Sequence, residues 1–270
     1  FAYLSFYSVH TPLLSRKDLE VKYNTRKIKQ RLSPKWGTEH KRKVRMVQEH
    51  SVYAGMVEAM DMAVGKVLKA LERLQLEKNT IIFFMSDNGG LSTSEGHPTS
   101  NFPLRAGKGW IYEGGIRVPM IVRWPNMTSP GSVSNAIITS TDFFPTIIEL
   151  SGSEANLELP IDGISFTPAL LGKKYDRGPV FWHYPHYGNQ GSAPAGAVRE
   201  GDWKLIEWYE NGRKELYNLN QDISETVDLS KTYPNKVRTL SNKLTQWRSM
   251  TEAKMPFVNS RFDSTKNEGR

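Results

Sequence analysis

Four side chains in this sequence have the types and settings to do chemistry together. Asp87 and Asn88 follow the apolar run 81–85 and precede Gly89 and Gly90. They offer a carboxylate and an amide carbonyl, hard oxygen donors suited to Ca²⁺ or Mg²⁺, and the glycines let the backbone turn close to an ion. The same residues would also make an ordinary turn. Lys108 lies between Gly107 and Gly109. With no side chain on either neighbour, its ammonium has room to approach a small anion and to offset charge that builds on a leaving group. His10 ends the aromatic and apolar run 1–9, and the Thr11-Pro12 that follows disfavours helix.

These groups need a sheet to gather them. Ile81-Ile82-Phe83-Phe84-Met85 is apolar at successive positions, which predicts a strand covered on both faces, as in a parallel α/β sheet. Ligands of open α/β sheets bind beyond the carboxyl ends of the strands, so Asp87 and His10, each at such an end, are predicted on one sheet edge. From about Glu39 to Leu74, Val52, Met56, Met60, Val64, Val67 and Leu71 recur at helical spacing and predict one long amphipathic helix or two abutting ones, its methionines filling core. In that helix Asp61 is expected to be a structural hydrogen-bonding group, and Gly65 to permit close packing on the sheet. Residues 13–38, charged and broken by Pro34 and Gly37, read as a surface excursion with one short helical turn.

The stretch 96–103 is a breaker-rich loop, in which His97 is a candidate substrate contact or simply an exposed loop histidine. Glu113-Gly114-Gly115 and Arg117 read as a tight turn and an ion pair leading into the strand 119–124. Asn126-Met127-Thr128 fits an N-glycosylation sequon, relevant in a eukaryotic secretory pathway. Residues 137–150 predict a short strand, a cap near Thr141-Asp142 that serves the fold, and a helix with Pro145 in its first turn.

Beyond Gly178 the pattern is that of an antiparallel meander. Segments 180–182, 197–199, 203–208 and 215–219 are strand-like, and Glu210-Asn211-Gly212-Arg213 is a hairpin turn between the last two. A final helix over 234–250 presents Val237, Leu240, Leu244 and Trp247 on one face. His183 and His186, with two tyrosines, form an aromatic loop suited to stacking on sugar rings or to plain packing. The expected division is a larger domain over 1–177 and a small α+β subdomain over 178–270.

The formal net charge of +8 is local in origin. Between Arg16 and Arg45 there are twelve Lys/Arg against three Asp/Glu, which reads as a solvated surface. No nucleic-acid module is present, though such a patch would steer an anionic polymer such as a sulfated glycan. The absence of cysteine excludes disulfides and thiolate metal sites. No uninterrupted apolar segment is long enough to span a membrane and there is no signal-peptide pattern, so no membrane insertion is expected. With Phe1 already inside an apolar run, the chain is expected to begin within a longer protein.

Three blocks carry a resemblance. Tyr3–His10 with Thr11-Pro12, Phe84-Met85-Ser86-Asp87-Asn88-Gly89-Gly90, and Leu104–Gly109 with Tyr112–Pro119 stand in the order found in the formylglycine-dependent, arylsulfatase-type sulfatases of the alkaline-phosphatase superfamily, which this chain resembles. The resemblance implies an α/β fold: part of a mixed, mainly parallel sheet flanked by helices, plus a small C-terminal antiparallel sheet with a packed helix. It implies hydrolysis of a sulfate ester, aryl or carbohydrate, by a formylglycine made from Cys or Ser in a Cys/Ser-x-Pro-x-Arg motif beside a bound Ca²⁺ rather than Mg²⁺. Asp87 and Asn88 would be calcium ligands, and His10 and Lys108 catalytic groups that contact the sulfate or assist departure of the alcohol. His97, His183 and His186 would be substrate contacts, and a secreted, periplasmic or lysosomal location is suggested.

The sequence departs from that pattern at the nucleophile. It has no Cys/Ser-x-Pro-x-Arg, no N-terminal Asp-Asp pair, and no second Lys and His of the sulfate pocket. These are expected in an N-terminal half outside these residues, so the 270 residues alone are expected to be inactive and to leave apolar sheet edges open. A phosphoesterase of the same superfamily and a non-catalytic binder of anionic glycans are the alternatives.

Overall fold

A computed structural model describes residues 1–153 and 162–261. In chain order the elements are α1 (Lys17–Lys29), β1 (Trp36–Glu39), β2 (Arg42–Arg45), α2 (Ser51–Arg73), β3 (Ile82–Met85), α3 (Glu113–Ile116), β4 (Met120–Arg123), α4 (Phe143–Ser151), α5 (Thr167–Leu170), β5 (Val180–Tyr184), β6 (Ala195–Glu200), β7 (Trp203–Trp208), β8 (Lys214–Asn218) and α6 (Pro234–Met250). They form two compact units that interleave along the chain. One comprises Phe1–Ala70, Ser86–Pro119 and Phe181–Arg270, the other Leu71–Met85 and Met120–Val180. Among the described residues no helix is long and apolar enough to cross a membrane.

The first unit is built on the sheet β5-β6-β7-β8, in which β6–β7 and β7–β8 are antiparallel. This is the predicted meander, with the predicted turn at 210–213. Strand alternation sends successive side chains to opposite faces, and here both faces are covered. Val198, Leu205 and Leu216 meet Leu240 and Leu244 of α6, and Phe181 stacks on Trp247 with ring centroids 5.0 Å apart. Each fully buried leucine contributes about 1.5–3 kcal/mol. Ala195, Ala197, Ile206, Trp208 and Tyr217 on the opposite face pack on Ala106, Trp110, Ile111 and Tyr112. The segment that carries Lys108 thus lies on the C-terminal sheet.

The N-terminal part of this unit differs from expectation. Residues 1–9 form no strand ladder among the described residues, and Phe1, Tyr3, Leu4 and Tyr7 are exposed. Their composition signals burial but supplies no hydrogen-bonding partner. The expected excursion over 13–38 contains the thirteen-residue α1. Asp18 and Glu20 in its first turn and Arg26, Lys27 and Lys29 in its last complement the helix dipole. Only Leu19 is buried, so the apolar periodicity is faint.

The helix expected from Glu39 begins instead at Ser51, because 36–45 form the antiparallel hairpin β1–β2. Gly65 has open space where a Cβ would stand, and Asp61 is exposed rather than structural. Close packing occurs at Gly55, where a Cβ would lie 2.1 Å from Ser15 Oγ on the approach to α1. Lys22 of α1 donates to Glu58 of α2 at 2.6 Å, and Glu49 pairs with both Lys27 and Arg45. Three of the twelve basic residues, Lys22, Lys27 and Arg45, are thus paired with carboxylates beyond Arg45 in the sequence.

In the second unit β3 pairs antiparallel with β4, Phe84 opposite Ile121. An unbroken apolar run carries no information on strand direction, and the coverage is one-sided: Phe83 packs on Phe143 and Phe166 at 5.5 and 6.1 Å, whereas Ile121 is exposed. Residues 137–139 form no strand among the described residues; Thr139 and Asp142 instead form a capping box there, ahead of α4. Buried Asp142 accepts from Thr139 N and Arg177 Nε at 2.8 Å and from Ile164 N at 3.0 Å. This is the structural role expected of it.

Candidate active site

The turn after β3 is stitched to the loop of Lys108 by backbone. Gly89 N–H donates to Gly115 O at 3.0 Å, and Lys108 N–H donates to Gly90 O at 3.1 Å. Asn101 braces both strands of the contact: its Oδ1 accepts from Gly90 N at 3.0 Å, and its Nδ2 donates to Gly90 O and Ala106 O at 2.7 and 3.0 Å. A Cβ on Gly107 would lie 2.3 Å from Gly90 O, and one on Gly109 2.7 Å from Gln190 Oε1. Gly107 is therefore required by backbone packing of loop on loop, and Gly109 by its φ of +83.

His10 and Lys108 meet beside this contact: Lys108 Nζ lies 2.9 Å from His10 Nε2. His10 Nδ1 lies 2.9 Å from Thr11 O. A carbonyl can only accept, so Nδ1 carries the proton and Nε2 is the acceptor for the ammonium. Lys108 is half-buried and His10 exposed. The pair offers a cation and an oriented imidazole to a tetrahedral anion.

Asp87 is exposed and Asn88 half-buried at the end of β3. Asn88 Nδ2 donates to Gly89 O at 3.0 Å, which orients the amide and leaves Oδ1 as a ligand oxygen. A Ca²⁺ shell takes about six to eight oxygens, and among the described residues no three His, Cys, Asp or Glu side chains are grouped to hold a metal. The two residues fit part of such a shell and cannot complete one.

The remaining candidate histidines are engaged elsewhere. His97 packs edge-on to Trp36 at 5.3 Å and its carbonyl accepts from Arg45; burial pushes its pKa down. His183 spends both ring nitrogens, on Tyr209 Oη at 2.7 Å and Lys254 O at 2.9 Å. His186 is exposed and lies edge-on to Tyr184.

A buried polar network beneath the Lys108 loop was not anticipated in full. Lys204 Nζ, fully buried, donates to Glu113 at 3.0 Å and Glu225 at 2.8 Å, and Glu113 also pairs with Arg117 at 2.6 Å. Burial pushes the Glu113 carboxyl up, but Lys204 and Arg117 outweigh it and hold it low; burial dominates at Glu225 and raises it. Arg105 clamps Glu39 through two bonds of 2.7 and 2.8 Å and donates to Tyr217 Oη and Glu225 O. The sequence signal was the period of β7, which puts Lys204 on one face with Ile206 and Trp208. Equally unanticipated is Glu95, which accepts from Thr11, Asn189 and Gln190 beside the pair.

Residues 1–153 match the family model described as Sulfatase, and residues 106–250 match N-sulphoglucosamine sulphohydrolase, C-terminal. A sulfatase of Formosa agariphila is 36% identical across 92% of this chain and 46% of its own length. Human steryl-sulfatase is 34% identical across 67% of this chain and 28% of its own. The chain spans about half the length, or less, of the curated relatives it matches.

Among solved structures, Ps i-CgsB superposes with a TM-score of 0.75 at 29% identity, covering 91% of this chain and 49% of the other; it has also been solved with k-i-k-neocarrahexaose. BT4656 in complex with its substrate D-glucosamine-2-N,6-O-disulfate gives a TM-score of 0.64 at 28% identity, covering 76% and 41%. The mixed α/β architecture is that of the alkaline-phosphatase-type sulfatases. With its family match running through the His10, Asp87 and Lys108 blocks and over more than half of its residues, this chain belongs to the sulfatase family.

Proposed function

We propose that this chain supplies part of the catalytic centre of a sulfuric ester hydrolase acting on sulfated carbohydrates. The observation that carries the reading is the 2.9 Å contact between Lys108 Nζ and His10 Nε2, with His10 oriented by Thr11 O. In this reading the ammonium of Lys108 binds a sulfate oxygen, where fixed charge stabilises the transition state. One proton is shared along the Nζ–Nε2 line, so the pair delivers it to the departing alcohol oxygen as a unit. Asp87 and Asn88 would hold one side of a Ca²⁺ with donors from outside these residues; the bound ion would add positive charge against the sulfate. The reading puts the nucleophile, a formylglycine by family resemblance, outside these residues as well. Carbohydrate ligands in two structural neighbours support the substrate class.

The test uses the full-length protein with matched sulfate and phosphate esters of one alcohol and with sugar sulfates. Sulfate turnover that falls by about 100-fold or more in Lys108→Ala is the expected result. Preference for the phosphate ester would favour a phosphoesterase of this superfamily. Retention of sulfated glycans without turnover of either ester would indicate a binding protein.

A further inference from the structure

Glu95 borders the His10–Lys108 pair without joining it. Its Oε2 accepts from Thr11 Oγ1 at 3.3 Å, and its Oε1 accepts from Asn189 Nδ2 at 2.8 Å and Gln190 Nε2 at 3.4 Å. Thr11 is the residue whose carbonyl orients His10. The Gln190 side chain lies against Gly109, next in sequence to Lys108, and its backbone carbonyl is fixed by Trp110 Nε1 at 3.0 Å. Both catalytic candidates thus have a sequence neighbour in contact with one small polar cluster.

Glu95 and Asn189 are exposed. Glu95 is held at φ 51, a left-handed conformation uncommon for a non-glycine residue. The free valences of the cluster are lone pairs of the Glu95 carboxylate and of the Asn189 and Gln190 amide carbonyls, together with the second N–H of each amide. A sugar hydroxyl, which both donates and accepts, matches this mixed set, whereas a second anion can only accept and is repelled by the Glu95 carboxylate.

Resting on the sulfatase reading above, we propose that Glu95, Asn189 and Gln190 form a specificity rim. The rim binds free hydroxyls on the sugar carbons next to the sulfate ester and rejects substrates that carry a second sulfate or a carboxylate there. The preferred substrate is a sugar monosulfate, or a polymer residue, with neutral neighbours around the scissile ester.

The experiment measures kcat/KM of the full-length protein on hexopyranose 2-, 3- and 4-monosulfates, on the matched vicinal disulfates, and on 4-nitrophenyl sulfate. At the position the enzyme cleaves, the monosulfate is expected to be favoured by about tenfold, the size of a like-charge penalty at an exposed site. Added salt narrows that ratio by screening, and Glu95→Gln narrows it to about two- to threefold. Each ratio is taken within one protein, so any loss of folded enzyme or of His10 orientation cancels, and the wild-type ratio needs no variant. Equal rates on mono- and disulfate, an unchanged ratio in Glu95→Gln, or turnover of the aryl ester with none of the sugar sulfates would overturn the rim while leaving a sulfatase. Failure to hydrolyse any sulfate ester would overturn the sulfatase reading and the rim with it.

Discussion

Gly89 and Gly114 meet backbone to backbone: a Cβ added to Gly89 would fall 1.7 Å from the Gly114 carbonyl oxygen. The turn that carries Asp87 and Asn88 is thereby pressed onto α3, and no side-chain rotation can relieve a clash with a carbonyl. Gly89→Ala is expected to cost at least about 1–3 kcal/mol, the range of overpacking. Gly65→Ala is the control, since nothing stands within 4 Å of its Cβ position; it should stabilise α2 by about 0.5–1 kcal/mol. Denaturant midpoints of the full-length protein would separate the two.

Lys204 serves two carboxylates that have unequal alternatives. Glu113 retains Arg117 if Lys204 is lost, whereas Glu225, among the described residues, keeps only the Glu113 backbone N–H at 2.6 Å. Lys204→Met is expected to lose about 3–5 kcal/mol, because a buried carboxylate is left without its cation. Adding Glu225→Gln should recover part of that loss. Urea unfolding of the single and double variants checks it; a double variant no more stable than Lys204→Met would show that the cost lies in packing.

Asp142 gives the pH dependence a definite sign. Burial pushes its carboxyl up, but the Arg177 hydrogen bond and the N–H groups of Thr139 and Ile164 pull it below the ordinary 3.8. A depressed folded-state pKa means stability that is fully present above the unfolded value and lost as pH falls through the folded one. Acid titration of the unfolding free energy should therefore show a decline below about pH 4, shallower in Asp142→Asn. That variant should also lose about 1–3 kcal/mol at neutral pH, as a hydrogen-bonded charge is removed.

Lys108 and His10 should not act additively. Either Lys108→Ala or His10→Asn is expected to lower kcat on a sulfate ester by about 10²–10⁴-fold. If the two share one proton, the double variant should be little worse than the poorer single one. A double-mutant cycle on the full-length enzyme measures this, and fully multiplicative losses would mean independent roles.

The parts of this fold that could be read in advance are those with strong local codes. Leu240, Leu244 and Trp247 recur at helical spacing and α6 lies where they predict it; Asn211-Gly212 marks the turn between β7 and β8. What escaped notice was held by charge rather than by apolar pattern. α1 buries one residue and is secured through Lys22–Glu58, and β1–β2 is a hairpin whose second strand is rich in charge. Spacing could bring Lys108 and His10 under suspicion separately, but their contact spans 98 positions and depends on the 106–112 segment lying on a distant sheet. Glu95 carries no local signal, since its partners lie more than 80 positions away on either side.

The two-sided sheet has a consequence for recombination among relatives. One of its faces is complementary to Trp110, Tyr112 and Glu113, residues of the loop that presents Lys108. The C-terminal sheet is therefore not a transplantable module: a chimera that exchanges it without those partners would inherit a misplaced lysine, and variants in β7 or β8 would be scored as catalytic defects although no reacting group had changed.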